Sequence, residues 1–194
     1  VQCLSPAGLH QMAYKEWGDP QNPQVLVCVH GVTRVSDDFD ALAAALSDRY
    51  RVVCPDVVGR GRSSWLKNPA YYVVPQYVSD MVTLVARLDV PQVDWFGTSM
   101  GALIGMGLAA TAPADGYTIA VVSSSYVVNP TLYAKIPYDP YKSFVPVTNI
   151  AASPNVFVAH PSVPAKTMQD LVAVTMKDSR KYSVATPGVG TTPD

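Results

Sequence analysis

The residues best suited to chemistry form the pentapeptide Gly97-Thr98-Ser99-Met100-Gly101, which follows the apolar run QVDWF and precedes an Ala/Gly-rich stretch. Glycines at this spacing let the backbone turn sharply between a strand and a helix, so the serine oxygen projects at the helix N-terminus. The Met100 N–H then points at an oxyanion developing on a substrate carbonyl. The pattern predicts Ser99 as a nucleophile for acyl transfer; the alternative is a serine that only caps the following helix.

A second part of the same site is predicted at His30-Gly31-Val32, directly after the apolar run VLVCV. A glycine at this point lets the chain fold over the nucleophile, and the Val32 N–H can supply a second oxyanion donor. His30 is expected to be a structural residue of the loop rather than a base. Arg60 and Arg62 are expected to be solvated, because GRGRSS matches neither a P-loop nor a dinucleotide fingerprint.

The elements that must position these residues alternate between strands and helices. Apolar runs predict strands, and residues at helical spacing predict helices, the first of them capped by Ser36. The predicted strands are Val25–Val29, Arg51–Cys54 and Gln92–Phe96, and the predicted helices follow Ser36, cover 78–88 and run from Met100 to about Ala112. This alternation predicts the α/β class, with a mostly parallel sheet between two layers of helices.

The second half of the chain is expected to continue that sheet. Strand-like segments lie at Tyr117–Ser123, Val156–Ala159 and Tyr182–Ala185. Thr167-Met168-Gln169-Asp170 has the spacing of a capping box and predicts the start of a helix. Residues 126–155 are punctuated by prolines and have no assignment. We therefore predict a half-domain at 1–110 and a second segment at 111–194 that continues the same sheet in one compact domain.

Three motifs in order, VCVHGVTRVSDDF, PDVVGRGRS and WFGTSMG, make residues 9–110 resemble the first half of an α/β-hydrolase. The resemblance implies an acyl-enzyme that water hydrolyses, with Ser99 as nucleophile and with Val32 and Met100 as oxyanion donors. It implies neither a cofactor nor a metal. In this family the acid and then the histidine of the triad follow the serine along the chain.

The chain offers few candidates for those two partners. Of the histidines at positions 10, 30 and 160, only His160 follows Ser99, which makes it the remaining candidate base. No acid after Ser99 lies in a recognisable acid-loop motif; these acids are Asp115, Asp139, Asp170, Asp178 and Asp194. A serine without a base is a poor nucleophile. Hydrolysis of small esters or acyl compounds is therefore expected to be weak or absent.

Four further motifs, APADGYTI, NPTLYAKIPYDPYKSFVPVT, PNVFVAHPSVPAKTMQDLV and YSVATPGVGTTP, make residues 111–194 resemble the middle of a tripartite tricarboxylate transporter solute-binding protein. The resemblance implies that Gly188, Gly190 and Thr191 contribute donors to a carboxylate ligand; the alternative is an ordinary turn. It also makes His160 an ordinary position of that segment. The change of family falls at about Leu108–Ala114.

Composition narrows the possible partners. The 194 residues are 48% hydrophobic and 15% charged, with a net charge of −1, which is typical of a globular protein and a poor match for nucleic acid or an anionic membrane. Three cysteines predict reduced thiols, and the first residues lack a signal-peptide pattern, so a cytoplasmic location is expected. A homo-oligomer through exposed sheet edges is a further possibility.

Three functions follow from these patterns. The chain can be an active serine esterase that uses His160, a carboxylate-binding module, or a chimera in which neither activity is complete. The third is favoured, with the α/β-hydrolase-like site as its functional remnant.

Overall fold

The computed structural model describes residues 1–123, 125–132, 136–152, 156–178, 180–183 and 185. Contacts divide the chain into two compact units. The first comprises Val1–Val121 and Tyr133–Val145, and the second comprises Val122–Leu132 and Pro146–Asp194. None of the described helices has the length and the apolar character needed to cross a membrane.

The first unit carries the strands and three of the helices. Its strands are β1 (Gln2–Ser5), β2 (Gly8–Gln11), β3 (Tyr14–Trp17), β4 (Val25–Val29), β5 (Arg51–Pro55) and β6 (Asp94–Gly97). Its helices are α1 (Asp40–Leu46), α2 (Val74–Leu88) and α3 (Met100–Ala109), with short 3₁₀ turns at Ser36–Phe39 and Pro69–Tyr71. The second unit contains α4 (Ser125–Leu132) and α5 (Met168–Lys177).

The main sheet has the strand order β3-β5-β4-β6. β4 pairs in parallel with β5 and with β6, whereas β3 pairs antiparallel with β5 at the edge. β1 and β2 form a separate antiparallel hairpin in which Cys3 lies opposite His10. The parallel core of this sheet confirms the predicted α/β class.

Helices cover both faces of the main sheet. On one face Met81, Leu84 and Ile104, from α2 and α3, pack with buried valines of β4 and β5. On the other face Ala43 of α1 packs with Cys28 and Cys54. This arrangement is the predicted three-layer α/β/α architecture. Cys3, Cys28 and Cys54 are buried free thiols.

Two predicted helix starts have different outcomes. Thr167 does cap α5, because its Oγ1 accepts from the Asp170 N–H at 3.1 Å and Asp170 Oδ2 accepts from the Thr167 N–H at 3.0 Å. Ser36 is not an N-cap: the 3₁₀ turn begins at Ser36 itself, and its N–H donates to Asp56 Oδ1 at 2.8 Å. The Asp56 carboxylate, 20 residues further along the chain, therefore caps the first N–H of that turn.

The strands expected in the second half are absent from the described residues. Tyr117–Ser123 and Val156–Ala159 have irregular backbone, as do Tyr182 and Ser183, while Val184 lies outside the described residues. Side chains at 117, 119, 121 and 156–158 are 72–93% exposed. β-Propensity reflects packing against neighbouring strands, so an apolar run with no such neighbour forms no ladder. The predicted strands at 117–123 and 156–159 are therefore wrong, whereas the continuation of the sheet by residues 111–194 in one compact domain stays a prediction.

Candidate active site

The turn that carries Ser99 has a backbone conformation that non-glycine residues rarely adopt. β6 ends at Gly97 and α3 begins at Met100, and between them Ser99 has φ 51° and ψ −115°. A positive φ at a non-glycine residue costs on the order of 1–3 kcal/mol and persists only where its surroundings enforce it. One such restraint is the Thr98 N–H, which donates to the Val29 carbonyl at 3.0 Å and ties the turn to the end of β4.

Both flanking glycines are required by close backbone approach. A Cβ on Gly101 would collide with the Val29 carbonyl oxygen, and a Cβ on Gly97 would collide with the backbone of Gly101. Trp95 reinforces the same packing, since its Nε1–H donates to the Gly101 carbonyl at 3.0 Å. The glycine spacing that suggested the turn is therefore explained by α3 lying directly against the end of β4.

The loop after β4 passes over the serine. A Cβ built on Gly31 would lie 3.3 Å from Ser99 Cβ and 3.8 Å from Ser99 Oγ. Val32 is the next residue of this loop, while Met100, which begins α3, has one of the N–H groups that a helix leaves without an intrahelical partner. The structure thus brings together the loop of Val32, the start of α3 and an exposed Ser99.

His30 is a structural residue. It is fully buried, its Nε2 accepts from the Val57 N–H at 3.0 Å, and its Nδ1 lies 2.7 Å from the Gly31 carbonyl. Because Nε2 accepts, the proton of the neutral ring is on Nδ1 and is donated to Gly31. Burial lowers the pKa of His30, which favours this neutral form. Neither ring nitrogen is available as a base for Ser99.

Arg60 differs from the solvated residue expected from its loop. Its Nε donates to the Val32 carbonyl at 3.0 Å, and its Nη1 donates to the Val58 carbonyl at 2.9 Å and to the Tyr77 hydroxyl at 3.1 Å. The guanidinium also stacks near the rings of Tyr72 and Tyr77. Arg60 therefore fastens the loop of Val32, whereas Arg62 is exposed as expected. The two rings, Tyr72 and Tyr77, lie 12 and 17 positions along the chain from Arg60, so no local motif predicts these contacts.

Asp56 is a second structural residue that motif reasoning missed. Its carboxylate is buried at the end of β5 and accepts from the backbone N–H groups of Ser36 and Arg62 at 2.8 and 2.9 Å. Its carbonyl accepts from Ser63 Oγ at 2.6 Å. Asp56 thus joins the loops that follow β4 and β5. The only signal in the sequence is its place directly after an apolar strand.

An open cavity of about 400 Å³ lies beside the loop of Val32. Its lining residues are Val32, Thr33, Arg34, Val35, Gly59, Arg60, Gly61, Trp65 and Tyr72. Trp65 is 75% exposed and Val32 is 53% exposed, so both offer apolar surface to a bound group. None of these lining residues is acidic, and Ser99 is not among them.

Ser99 Oγ has no hydrogen-bond partner within the described part of the chain. His10 is buried, with its Nε2 3.0 Å from Asp80 Oδ2. His160 belongs to the second unit, where it is exposed and its Nδ1 lies 2.8 Å from Ser162 Oγ. In the first unit, His10 contacts Asp80 and His30 accepts from the Val57 N–H, so neither is paired with Ser99. The assignment of His160 as a base stays a prediction.

Three of the aspartates that follow Ser99 accept hydrogen bonds from backbone N–H groups two residues further along the chain. Asp115 accepts from the Tyr117 N–H at 3.0 Å, Asp139 from the Tyr141 N–H at 2.8 Å and Asp178 from the Arg180 N–H at 3.3 Å. Asp170 belongs to the capping box of α5. In the described residues no carboxylate is bonded to His160. Asp194 lies outside those residues, as do Gly188, Gly190 and Thr191, so the predicted carboxylate site stays a prediction.

Comparison with known proteins finds two families. The model of the alpha/beta hydrolase fold matches residues 24–131, and the model of the tripartite tricarboxylate transporter family receptor matches residues 93–194. The two matches overlap at residues 93–131, which include the predicted change of family at Leu108–Ala114.

Curated relatives show the same division. A 3-hydroxybutyrate-oligomer hydrolase of Cupriavidus necator is 74% identical over 109 residues, which is 56% of this chain and 37% of that protein. A UPF0065 protein from the tcbD-tcbE intergenic region of Pseudomonas sp. strain P51 is 35% identical over 91 residues, which is 47% of this chain and 27% of that protein. The chain thus spans well under half the length of either relative.

Two solved structures that resemble the chain are an α/β-hydrolase and a thioesterase domain. An alpha/beta hydrolase from Novosphingobium aromaticivorans has a TM-score of 0.50 and 37% identity, covering 59% of this chain and 40% of its own. The thioesterase domain from the curacin biosynthetic pathway has a TM-score of 0.51 and 28% identity, covering 57% of this chain and 39% of its own. The chain therefore belongs to the α/β-hydrolase family through residues 24–131 and to the tripartite tricarboxylate transporter receptor family through residues 93–194, as a chimera of the two.

Proposed function

We propose that this chimera retains a reactive serine without its base. Ser99 is the nucleophile, Val32 and Met100 supply the oxyanion N–H groups, and turnover of small esters is weak or absent. One observation carries the proposal: Ser99 is exposed on a strained turn under Gly31, yet its Oγ has no hydrogen-bond partner among the described residues.

The expected chemistry follows from what each missing part contributes. A serine hydroxyl attacks a carbonyl well only when a base removes its proton. Serine hydrolases that lack a triad member keep about 10³–10⁴-fold catalysis over water, which comes from the oxyanion hole and from substrate binding. A residual rate of this kind is the activity that Ser99 can support without a histidine.

The acyl group is inferred from the cavity and from the Cupriavidus relative. Apolar surface from Val32 and Trp65 suits a short aliphatic acyl chain, and the cavity lacks acids that would repel a carboxylate. The relative's name specifies oligomers of 3-hydroxybutyrate, which are short esters that end in a carboxylate. Short hydroxyacid esters are therefore the substrate class that we propose to test first.

Covalent labelling with a fluorophosphonate tests whether Ser99 is the reactive residue. We expect slow labelling of the full chain, lost in Ser99→Ala and unchanged in Ser79→Ala, a matched change of an exposed serine on α2. Peptide mapping by mass spectrometry locates the adduct. No adduct on the folded protein after prolonged incubation would rule out a reactive Ser99.

A carboxylate-binding module is the second candidate, and the receptor-family match over residues 93–194 supports it. Isothermal titration calorimetry with di- and tricarboxylates measures this function independently of Ser99. Binding at millimolar ligand or below would support it, and the absence of any heat at those concentrations would count against it.

A further inference from the structure

Three side chains with metal-binding chemistry converge away from the serine turn, where the β1–β2 hairpin meets α2. Cys3 of β1 and His10 of β2 lie opposite each other in the hairpin register, and Asp80 comes from α2. Their exposed fractions are 1%, 6% and 1%. One sulfur, one nitrogen and one oxygen atom from these residues lie within 4.8 Å of one another.

Protein contacts satisfy only part of this cluster. His10 Nε2 lies 3.0 Å from Asp80 Oδ2, and Gln76 Nε2 donates to Asp80 Oδ1 at 2.8 Å. His10 Nδ1, however, is buried with no hydrogen-bond partner among the described residues. Among the described residues, the hydrogen-bond partner of the Cys3 thiol is the Asp80 carbonyl, at 4.0 Å. His10 Nε2 is thus the ring nitrogen that faces Asp80, and the buried Nδ1 needs a separate partner such as a water.

The electrostatics of the cluster favour a cation. The Cys3 thiol and the Asp80 carboxylate are both buried, and the ion-pair partner of Asp80 among the described residues is His10. No lysine or arginine of the described chain forms an ion pair with Asp80. A divalent cation would pair with the thiolate and the carboxylate and leave the buried site electrically neutral.

We propose that Cys3, His10 and Asp80 bind a divalent cation of the zinc class. Sulfur and imidazole nitrogen are ligands for borderline metals such as Zn²⁺, whereas Mg²⁺ and Ca²⁺ prefer oxygen alone. The three ligands come from the hairpin and from α2, so the metal would join these two elements. Metal bound by ligands from separate elements stabilises the folded state, because the unfolded chain offers no preformed site. The sequence predicts no metal here, since Cys3, His10 and Asp80 do not follow a recognised ligand spacing.

Cobalt titration of the dialysed full chain tests the site, because Co²⁺ replaces Zn²⁺ and a thiolate ligand adds a near-ultraviolet charge-transfer band. We expect this band to saturate at about one equivalent and to disappear when Zn²⁺ is added. Cys3→Ala should abolish the band. Cys28→Ala, the matched change of another buried thiol, should retain it.

Thermal unfolding supplies a second readout that does not depend on the thiol. Zn²⁺ should raise the melting temperature of the full chain relative to EDTA. His10→Gln should lose this shift, because the glutamine side chain has no imidazole nitrogen to bind the metal. Folded wild-type protein that shows neither the band nor the shift would overturn the proposal, as would a band that survives in Cys3→Ala.

Discussion

Valines in the first unit and valines in the second unit have opposite environments. Val27, Val29 and Val53 are completely buried between helices in a parallel sheet. Val156 and Val158 are 79% and 89% exposed and belong to no strand. The residue type is the same in both places, so the difference lies in whether neighbouring strands and helices cover the side chain.

Hydrogen bonds show the same contrast. In the first unit they join distant parts of the chain: His10 pairs with Asp80, and the Ala13 N–H donates to Ser63 Oγ at 2.9 Å. In the second unit the described side-chain bonds are local, as in the capping box of α5 and the pair of His160 with Ser162. Long-range bonds form only where tertiary packing brings elements together. The hydrolase-like unit is therefore where substitutions should have the largest effects.

The largest expected effect is steric. Gly101→Val should destabilise the first unit by about 3 kcal/mol or more, because any Cβ at this position meets the Val29 carbonyl. Ala102→Val, an exposed neighbour on α3, should cost less than about 1 kcal/mol. Urea unfolding followed by tryptophan fluorescence compares the two variants. Equal losses would show that α3 does not pack against β4 as described.

A matched pair of valines tests the contrast between the units directly. Val53→Ala removes methyl groups from a filled core and should lower the free energy of unfolding by about 2 kcal/mol. Val158→Ala changes an exposed side chain and should stay within about 0.5 kcal/mol of wild type. Chemical denaturation of both variants is the measurement. A large loss in Val158→Ala would mean that this valine is buried.

Buried His30 should make stability depend on pH. Its pKa is lowered from 6.5 in the folded state, so the unfolded state binds its proton first as the pH falls. The stability that His30 contributes is present above pH 6.5 and is lost as the pH falls through the folded-state pKa. Urea unfolding between about pH 7 and pH 5 should show this loss in wild type and in His160→Gln, and a smaller loss in His30→Asn. An unchanged slope in His30→Asn would contradict a buried neutral imidazole.

The smallest expected effect concerns the loop over Ser99. Arg60→Met removes hydrogen bonds to the carbonyls of Val32 and Val58, so the loop loses its fastening and fluorophosphonate labelling should slow by about tenfold. Arg62→Met changes an exposed arginine of the same loop and should leave the rate unchanged. Equal labelling rates in wild type and Arg60→Met would show that Arg60 does not position the loop over Ser99.

Local chemistry explains which features could be predicted from sequence. The serine turn, the loop of Gly31 and the capping box of Thr167 depend on residues within a few positions of one another, and short motifs report such geometry. The strands β4 and β5 were also predictable, because continuous apolar runs mark strands covered on both faces.

The remaining features depend on partners distant in the chain. Arg60 donates a hydrogen bond to the Tyr77 hydroxyl, and the Ser36 N–H donates to the Asp56 carboxylate. Both partners are distant in the sequence, so neither environment can be predicted from the neighbouring residues. The apolar runs at 117–123 and 156–159 look like strands, but a strand also requires a neighbour to pair with. Sequence patterns describe a segment's capacity for structure, and tertiary packing decides whether that capacity is used.

We propose above that Ser99 is a nucleophile without a base, and added imidazole tests this most directly. The rate of fluorophosphonate labelling at Ser99 is measured with and without imidazole, in wild type and in His160→Gln. We predict slow labelling that imidazole accelerates by at least about tenfold, because a general base contributes about 10²–10⁴-fold, and equal rates in the two proteins. Rapid labelling whose rate does not change with imidazole and which is lost in His160→Gln would contradict this proposal and assign His160 as the base.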